Sequence, residues 1–243
     1  MDGVRSSMGR MKTIGLLGGM SWESTVSYYQ TINRLVGQRL GGLHSARLVL
    51  VSVDFEPIEV LQRAGRWEEA GGLLGEAAKT LEGAGADLLV LCTNTMHIVA
   101  PQIEAAAKVP LLHIADATGE RITAAGLSTV GLLGTRFTME EDFYRGRLEE
   151  RFGLRVLIPA DSERDEVHRV IYEELCHGEI LEASRARYRE VVSSLVGRGA
   201  EGIVLGCTEI GLLLSAPDAS VELFDTAAIH AEAAVDRALA GGS

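Results

Sequence analysis

The chain has 243 residues, a hydrophobic content of 47% and a formal net charge of −11 at pH 7. This hydrophobic content is sufficient for a large core and excludes a disordered protein. The negative charge argues against nucleic acid and against an anionic membrane surface as partners, because binding to such surfaces depends on clustered Lys and Arg.

Targeting segments and disulfide patterns are not evident in the sequence. The N-terminal segment lacks the apolar region of a secretory signal, and we expect residues 1–10 to form a disordered extension. No run approaches the 18 apolar residues of a membrane-spanning helix. The three cysteines form no CxxC pair, so neither a disulfide framework nor a metal site is expected. A reduced, cytoplasmic protein is the simplest interpretation.

Short apolar segments alternate with helical patterns in the first half of the chain. The segment from Thr13 to Leu17 predicts a strand that ends in the pair Gly18-Gly19 and leads into a helix. The apolar spacing of residues 67–82 predicts a second helix. Further strands are predicted at residues 47–53, 87–91 and 109–114.

The same order of elements then restarts. Residues 129–135 resemble the first strand and its glycine turn, and a predicted helix at residues 139–152 follows. Later strands are predicted at residues 155–158, 203–205 and 221–224, and later helices at residues 166–176, 180–196 and 228–240. Such alternation of short apolar strands with helices indicates mostly parallel sheets covered by helices on both faces.

Two segments of the chain are near copies of each other. Residues 85–95 and 199–209 align at a constant offset, since 199 − 85 and 207 − 93 both equal 114. The alignment places Thr93 opposite Cys207. A duplicated unit with a reactive side chain at one place in each copy can present two such groups to opposite faces of one ligand.

The duplication predicts an α/β fold of two pseudo-symmetric domains, each a mostly parallel four-stranded sheet flanked by helices, with the active site in the interdomain cleft. We assign residues 11–114 plus 227–243 to domain 1 and residues 115–226 to domain 2. Ligands of parallel α/β sheets bind at the carboxyl ends of the strands. The loops that we expect to converge there are residues 18–24, 92–95, 134–138 and 206–209.

Cys207 is the leading candidate for a catalytic side chain. It follows an apolar strand and precedes a predicted helix, whose N-terminus is expected to lower the pKa of the thiol. The alternative is a buried structural cysteine. Cys176 lies within a helical pattern and is interpreted as structural, and Cys92 is one position out of register with Cys207 and is expected to pack away from the cleft.

The loop after the third strand supplies further polar candidates. Thr93 either donates a proton in the cleft or caps a loop, and His97 either faces the cleft or caps a helix. Asn94, Thr95 and Thr208 offer small polar groups that suit a carboxylate. Pyridoxal phosphate chemistry needs a Schiff-base lysine, and the three lysines (Lys12, Lys79 and Lys108) all lie away from the predicted strand ends, so we expect no cofactor.

Three segments resemble motifs of the aspartate/glutamate racemase family: residues 18–25 (GGMSWEST), 92–97 (CTNTMH) and 206–210 (GCTEI). The resemblance continues through residues 133–139 and extends over nearly all of the chain from Met11. It implies two α/β domains with the active site between them, a homodimer, and cofactor-independent racemisation of a small-molecule amino acid by two opposed thiols. One thiolate abstracts the Cα proton and the other thiol reprotonates the opposite face.

The resemblance also assigns roles to residues. Cys207 matches the second catalytic cysteine, whereas Thr93 stands where the first would be. Since a neutral hydroxyl serves as an acid more readily than as a base, we expect a bias toward one enantiomer. The implied substrate-binding residues are Met20, Gln62, Asn94, Thr95, Thr135 and Thr208, and the candidates to hold a distal carboxylate, left unranked, are Arg47, Arg63 and Arg136.

The function that follows is a racemase of aspartate or glutamate that uses Cys207 and Thr93. Two alternatives remain open at this stage. One is an isomerase or decarboxylase of related diacids on the same scaffold, which a covalent adduct on Cys207 would favour. The other is a non-catalytic two-domain protein whose cleft closes on a ligand.

Overall fold

The first half of the molecule is a parallel sheet covered by helices. In the computed structural model, which describes residues 10–240, its strands are β1 (Ile14–Gly18), β2 (Leu48–Ser52), β3 (Leu88–Leu91) and β4 (Leu111–Leu112). Its helices are α1 (Trp22–Leu40), α2 (Phe55–Arg63), α3 (Trp67–Gly83) and α4 (Ala100–Ala106), and a 3-10 helix spans Thr95–Val99. All strand pairs are parallel, in the order β2-β1-β3-β4. The expected disordered extension at residues 1–10 lies outside the described residues except for Arg10.

The second half repeats this arrangement. Its strands are β5 (Thr129–Gly134), β6 (Arg155–Leu157), β7 (Gly202–Gly206) and β8 (Glu222–Asp225), in the order β6-β5-β7-β8, and again all pairs are parallel. Its helices are α5 (Ile114–Ala124), α6 (Arg136–Glu140), α7 (Arg145–Phe152), α8 (Asp161–Glu173), α9 (Glu182–Gly197), α10 (Ile210–Leu213) and α11 (Thr226–Leu239), with 3-10 helices at Leu175–His177 and Ala216–Asp218. The predicted α/β fold class with two four-stranded parallel sheets is confirmed.

The sequence repeat corresponds to the third strand of each sheet in chain order. Leu91 of β3 pairs with Leu17 of β1, and Leu205 of β7 pairs with Leu133 of β5. The offset of 114 found in the sequence (205 − 91) therefore superimposes equivalent places in the two sheets. Thr93 and Cys207 each come two residues after one of these leucines. Both therefore lie at the carboxyl end of their sheet, at equivalent places.

Glycines let the strand ends approach one another closely. Gly19 follows β1 with φ of 97°, and a Cβ there would lie 2.2 Å from the carbonyl oxygen of Val53. At the end of β7, a Cβ on Gly206 would lie 2.8 Å from the carbonyl oxygen of Leu133. Only a residue without a side chain fits at these two places, so the loops that follow are held at a fixed distance from their neighbours.

Three clusters of buried apolar side chains form the core. One surrounds the second sheet, and the other two lie on opposite faces of the first sheet, since alternate residues of a strand point to opposite faces. Helix α11 packs on α1, with Ala231 and Val235 fully buried against Ile14 and Tyr28. The end of the chain thus covers a face of the first sheet, and the predicted assignment of residues to domains remains a prediction.

Three local predictions need correction. The helix predicted at residues 139–152 is divided into α6 and α7 by a turn at residues 141–144. The strand predicted at residues 109–114 is only Leu111–Leu112, because His113 caps the N-terminus of α5 and accepts a hydrogen bond from the N–H of Ala115. The helix predicted after Cys207 is the four-residue α10. Among residues 10–240, no helix is long and apolar enough to cross a membrane.

Two equivalent buried leucines of the duplicated strands should each contribute strongly to the free energy of unfolding. Leu91 is 1% exposed and Leu205 is 2% exposed, at equivalent places in the two sheets. We expect Leu91→Ala and Leu205→Ala each to lower the free energy of unfolding by about 2–5 kcal/mol, because each leaves a cavity in a closed core. Chemical denaturation measures the loss. Leu43→Ala, at a fully exposed leucine, is the control and should change stability by less than about 0.5 kcal/mol; equal effects at all three positions would contradict the prediction.

Candidate active site

The carboxyl ends of the strands of both sheets enclose one buried cavity of about 30 Å³. All eight residues predicted for the site line it: Met20, Gln62, Thr93, Asn94, Thr95, Thr135, Cys207 and Thr208. Five further residues complete the wall: Phe55, Ile171, Tyr172, Cys176 and Glu209. The volume accommodates about one water molecule. An amino acid is larger than this space, so the cavity has to enlarge before one binds.

Hydrogen bonds between the two halves hold the cavity closed. The hydroxyl of Ser21 donates to Glu209 Oε1 at 2.5 Å, and Tyr172 donates to Gln62 Oε1 at 3.0 Å. The hydroxyls of Thr95 and Thr135 lie 3.0 Å apart. Each pair joins one element of the first sheet's half to one of the second, so opening the cleft exchanges these bonds for bonds to water or substrate.

The Glu209 carboxylate organises the thiol side of the cavity. Its Oε2 accepts hydrogen bonds from the Cys207 thiol at 3.1 Å and from the Thr208 hydroxyl at 2.6 Å, while Oε1 accepts from Ser21. Glu209 is 3% exposed, so water does not screen these contacts. The only proton of the Cys207 thiol is directed at this carboxylate.

The electrostatics of Cys207 differ from the prediction. Burial raises the pKa of the Cys207 thiol well above its ordinary value, and the negative charge of Glu209 raises it further. The expected lowering by a helix N-terminus is wrong for the closed cleft, because α10 has only four residues and the nearest charge is negative. In this state Cys207 is a thiol that carries its proton.

Asn94 presents an unpaired oxygen in this buried region. The hydroxyl of Thr226 donates its single proton to the carbonyl oxygen of Leu205 at 2.7 Å, so its oxygen can only accept a bond from Asn94. This fixes the orientation of the Asn94 amide, with Nδ2 donating to Thr226 Oγ1 at 3.0 Å. Asn94 Oδ1 is buried and has no hydrogen-bond partner within residues 10–240. Asn94 itself lines the cavity, so we expect a ligand donor to satisfy this oxygen once the cavity enlarges.

His97 supports the loop of Thr93 from behind and does not line the cavity. Its Nε2 accepts from the N–H of Ile114 at 3.2 Å, so its proton is on Nδ1, which donates to the carbonyl oxygen of Thr93 at 2.8 Å. Burial lowers the pKa of His97 well below its ordinary value. Of the two alternatives left open for His97, the structure supports the structural one.

The other cysteines divide between core and cavity. Cys92 is fully buried in the cluster that faces α1 and α11 and is absent from the cavity wall, as expected. Cys176 lines the cavity, so its interpretation as purely structural is incomplete. It was assigned to a helical core pattern because the 3-10 turn Leu175–His177 continues the spacing of α8. The position of Glu209, two residues after Cys207, indicates an acceptor beside the site or a first-turn helix acid, and the structure supports the acceptor. Tyr172 gave no signal in the sequence.

None of the three arginines proposed to hold a distal carboxylate lines the cavity. Arg47 donates to Thr13, which precedes β1, at the opposite end of the sheet. Arg63 is 67% exposed and pairs with Glu59 at 2.8 Å. Arg136 forms ion pairs with Glu140, Asp161 and Asp165 at the surface.

Comparison with known proteins identifies the family of the chain. The sequence profile described as Asp/Glu/Hydantoin racemase matches residues 17–234. The chain belongs to this family. The resemblance noted in the sequence and the expected enzyme class, an amino-acid racemase, are thereby confirmed.

Individual relatives cover nearly the whole chain. A candidate Asp/Glu racemase from Yersinia pestis is 58% identical, covers 94% of this chain and all of its own, and superimposes with a TM-score of 0.88. PH1733, an aspartate racemase homologue from Pyrococcus horikoshii OT3, is 38% identical over 94% of this chain and 99% of its own, with a TM-score of 0.81. The broad specificity amino-acid racemase RacX of Bacillus subtilis is 26% identical over 93% of this chain and 98% of its own.

The loop of Thr93 in this racemase packs on a cluster of three buried histidines. From this cluster we predict that the stability of the protein depends on pH. His97 lies 4.5 Å from His113 and 5.9 Å from His230 between ring centroids. Burial lowers the pKa of His113 and of His230 from 6.5 to about 3, and the charges of Arg147 and Arg151 act on His113 in the same direction. All three rings are therefore neutral in the folded protein at pH 5, whereas the unfolded chain takes up protons below about 6.5.

We expect the free energy of unfolding to be at its full value above pH 6.5 and to fall as the pH falls from 6.5 toward 5. Each neutral histidine contributes up to about 1.4 kcal/mol per pH unit. Denaturation curves between pH 7.5 and 5 measure the slope. His113→Asn keeps a side chain that caps helices well. It removes one of the three groups that take up a proton on unfolding, so the slope should fall by up to about 1.4 kcal/mol per pH unit. A stability that is constant over this range would contradict the assignment of neutral histidines.

The contact between Cys207 and Glu209 predicts a shift in thiol reactivity. Glu209→Gln removes the negative charge beside the thiol, so the pKa of Cys207 should fall, by about one unit. Alkylation by iodoacetamide requires the thiolate, and its pH midpoint at Cys207, followed by peptide mass spectrometry, should therefore move to lower pH. Glu68→Gln, at an exposed glutamate of α3, removes the same charge at a distance and should leave the midpoint unchanged. An unchanged or higher midpoint in Glu209→Gln would refute the charge effect.

Proposed function

We propose that this protein racemises an α-amino acid without a cofactor, by proton transfer at Cα between Cys207 and Thr93. The observation that supports the proposal most directly is the convergence of these two side chains. They leave equivalent strands, β7 and β3, of two repeated halves and line one buried cavity. Groups related in this way approach a bound carbon from opposite sides, as inversion of a stereocentre requires.

In the first step Cys207 is the base. The thiol proton passes along its hydrogen bond to the Glu209 carboxylate, and the thiolate takes the proton from Cα. The electron pair of the broken C–H bond stays on the substrate as a carbanion next to the α-carboxylate. By similarity with the family, Asn94, Thr95 and Thr208 with Met20 nearby lie along the α-carboxylate, while Gln62 and Thr135 complete the substrate site.

In the second step the Thr93 hydroxyl gives its proton to the opposite face of the carbanion. The C–H bond forms with inverted configuration and leaves a threonine alkoxide. When the cleft opens, the alkoxide takes a proton from water and Glu209 gives its proton to the hydroxide that remains, so Cys207 is again a thiol and Glu209 a carboxylate. The reverse reaction needs a threonine alkoxide as the base, which forms with difficulty near neutral pH. We therefore expect kcat and Cα exchange to be larger for the enantiomer whose Cα proton faces Cys207, while kcat/KM for racemisation is equal in the two directions because the enantiomers have the same free energy. Aspartate and glutamate are the first substrates to examine, because the family resemblance favours them, and a homodimer in the cytoplasm remains a prediction.

Exchange of the Cα proton in heavy water, followed by proton NMR with each enantiomer of an amino acid separately, tests the proposal. We expect Cys207→Ser to lower the exchange rate by about 10²- to 10⁴-fold, since it replaces the thiolate base. Thr93→Cys should raise the exchange rate of the enantiomer that the wild-type protein exchanges more slowly, because a second thiolate base then faces its Cα proton. Cys92→Ala, at the core cysteine adjacent to Thr93 in sequence, is the matched control and should retain exchange.

Two outcomes would overturn the proposal. Exchange that survives in Cys207→Ser would remove Cys207 from the proton path. Binding of amino acids without exchange in the wild-type protein would favour the closing binding protein over the racemase, and a stable adduct on Cys207 with an unsaturated diacid would favour the isomerase.

A further inference from the structure

The wall of the cavity is divided between strand ends and helices. The residues that follow strands are Met20, Thr93, Asn94, Thr95, Thr135, Cys207, Thr208 and Glu209. The residues that come from α2, α8 and the 3-10 turn after α8 are Phe55, Gln62, Ile171, Tyr172 and Cys176. In the proposed reaction Cα lies between Thr93 and Cys207, so the α-groups of the substrate lie at the strand ends. The substrate side chain then extends toward the helices.

The strand ends offer acceptors that suit an α-ammonium group. Asn94 Oδ1 is buried without a partner within residues 10–240, and its amide is held in that orientation by Thr226. An ammonium group is a donor with no acceptor capacity and satisfies such an oxygen. The Glu209 carboxylate lies on the same wall and adds a negative charge. The Asn94 loop thus meets the α-end of the substrate: the family resemblance places the α-carboxylate along it, and Oδ1 together with Glu209 accepts from the adjacent α-ammonium group.

The helical part of the wall carries no positive charge. Among the described residues that line the cavity there is no Arg, Lys or His, and the one charged residue is Glu209. The side chain of the substrate meets Phe55, Ile171 and Tyr172, the amide of Gln62 and the thiol of Cys176.

The arginines around these helices are held by carboxylates. Arg169 pairs with Glu166, Glu173 and Glu174, and Arg164 pairs with Glu140 and Asp161. His168 of α8 lies beside Tyr172, and its Nδ1 accepts a hydrogen bond from the N–H of Arg136. Helix α8 also begins with the acidic residues Asp161, Glu163, Asp165 and Glu166. A second carboxylate in the cleft would be buried near Glu209 and without a cation among the described lining residues, which is strongly unfavourable.

We infer that the cleft takes α-amino acids whose side chains carry no charge, in preference to aspartate and glutamate. This inference rests on the proposed racemase function and narrows its substrate class. Asparagine and glutamine are the sharpest probes, because each has nearly the shape of the corresponding acid and lacks its charge.

The test compares Cα exchange in heavy water for asparagine against aspartate and for glutamine against glutamate, both enantiomers of each, with alanine, serine and methionine as further uncharged probes. We expect at least one uncharged amino acid to exchange with kcat/KM on the order of tenfold or more above both acids. The same exchange should be lost in Cys207→Ser. Faster exchange of aspartate or glutamate than of every uncharged probe would overturn the inference and leave the racemase function standing. No exchange with any amino acid would remove the racemase function itself.

A variant pair tests the cause. Cys176 lies in the helical part of the cavity wall and is half-buried. Because it is not enclosed on all sides, a longer side chain at this position has room and can extend into the cavity. Cys176→Lys adds a cation and should shift the ratio of kcat/KM for glutamate over glutamine toward glutamate by about tenfold or more. Cys176→Met has a similar length without charge and should leave that ratio unchanged. Equal shifts in both variants would show that size and not charge sets the preference.

Discussion

The Glu209 carboxylate connects the thiol, the neighbouring loop and the opposite half of the molecule. It accepts bonds from Cys207 and Thr208 on its own side and from Ser21 across the cleft. A buried carboxylate is costly unless donors surround it, so the closed cleft and the protonated thiol stabilise one another. Opening the cleft breaks the bond from Ser21 and admits water, and both changes alter the environment in which Cys207 gives up its proton.

The two halves share a topology but not their chemistry. Both place a polar residue at the same distance beyond equivalent strands, which brings Thr93 and Cys207 to one cavity. The loop of Thr93 rests on a neutral histidine that bridges to α5, whereas the loop of Cys207 rests on a carboxylate. A thiol beside a carboxylate can pass its proton on, and a threonine hydroxyl has no such neighbour. The two groups that face one cavity therefore differ in how readily each gives up its proton.

The small size of the closed cavity means that a substrate has to displace existing contacts before it binds. With space for about one water molecule, it excludes solvent from the reacting groups before any substrate is bound. A substrate must replace the bonds between Gln62 and Tyr172 and between Thr95 and Thr135 when it opens the two halves. Its polar groups have to satisfy the donors and acceptors that these bonds leave free, which makes selectivity depend on the charge and hydrogen bonding of the substrate as well as on its size.

The sequence by itself determined the two repeated halves and the strand ends, and together with the family resemblance it named eight of the thirteen residues that line the cavity. The reason is that strand positions follow from apolar segments a few residues long, and the offset of 114 relates Thr93 to Cys207 without knowledge of distance. Short elements were less predictable: β4 has two residues and α10 has four, too few for their periodicity to be recognised.

Only the tertiary structure decided which other side chains meet these residues. Tyr172 and Cys176 reach the cavity from a helix and a 3-10 turn whose spacing resembles that of a buried core, and the direction of a carboxylate such as Glu209 is not encoded in its position. The pKa of Cys207 depends on burial and on that carboxylate, both of which are properties of packing. The absence of a cation among the described cavity residues has the same origin, because nearby arginines such as Arg136 and Arg169 bind acidic residues that are close in space.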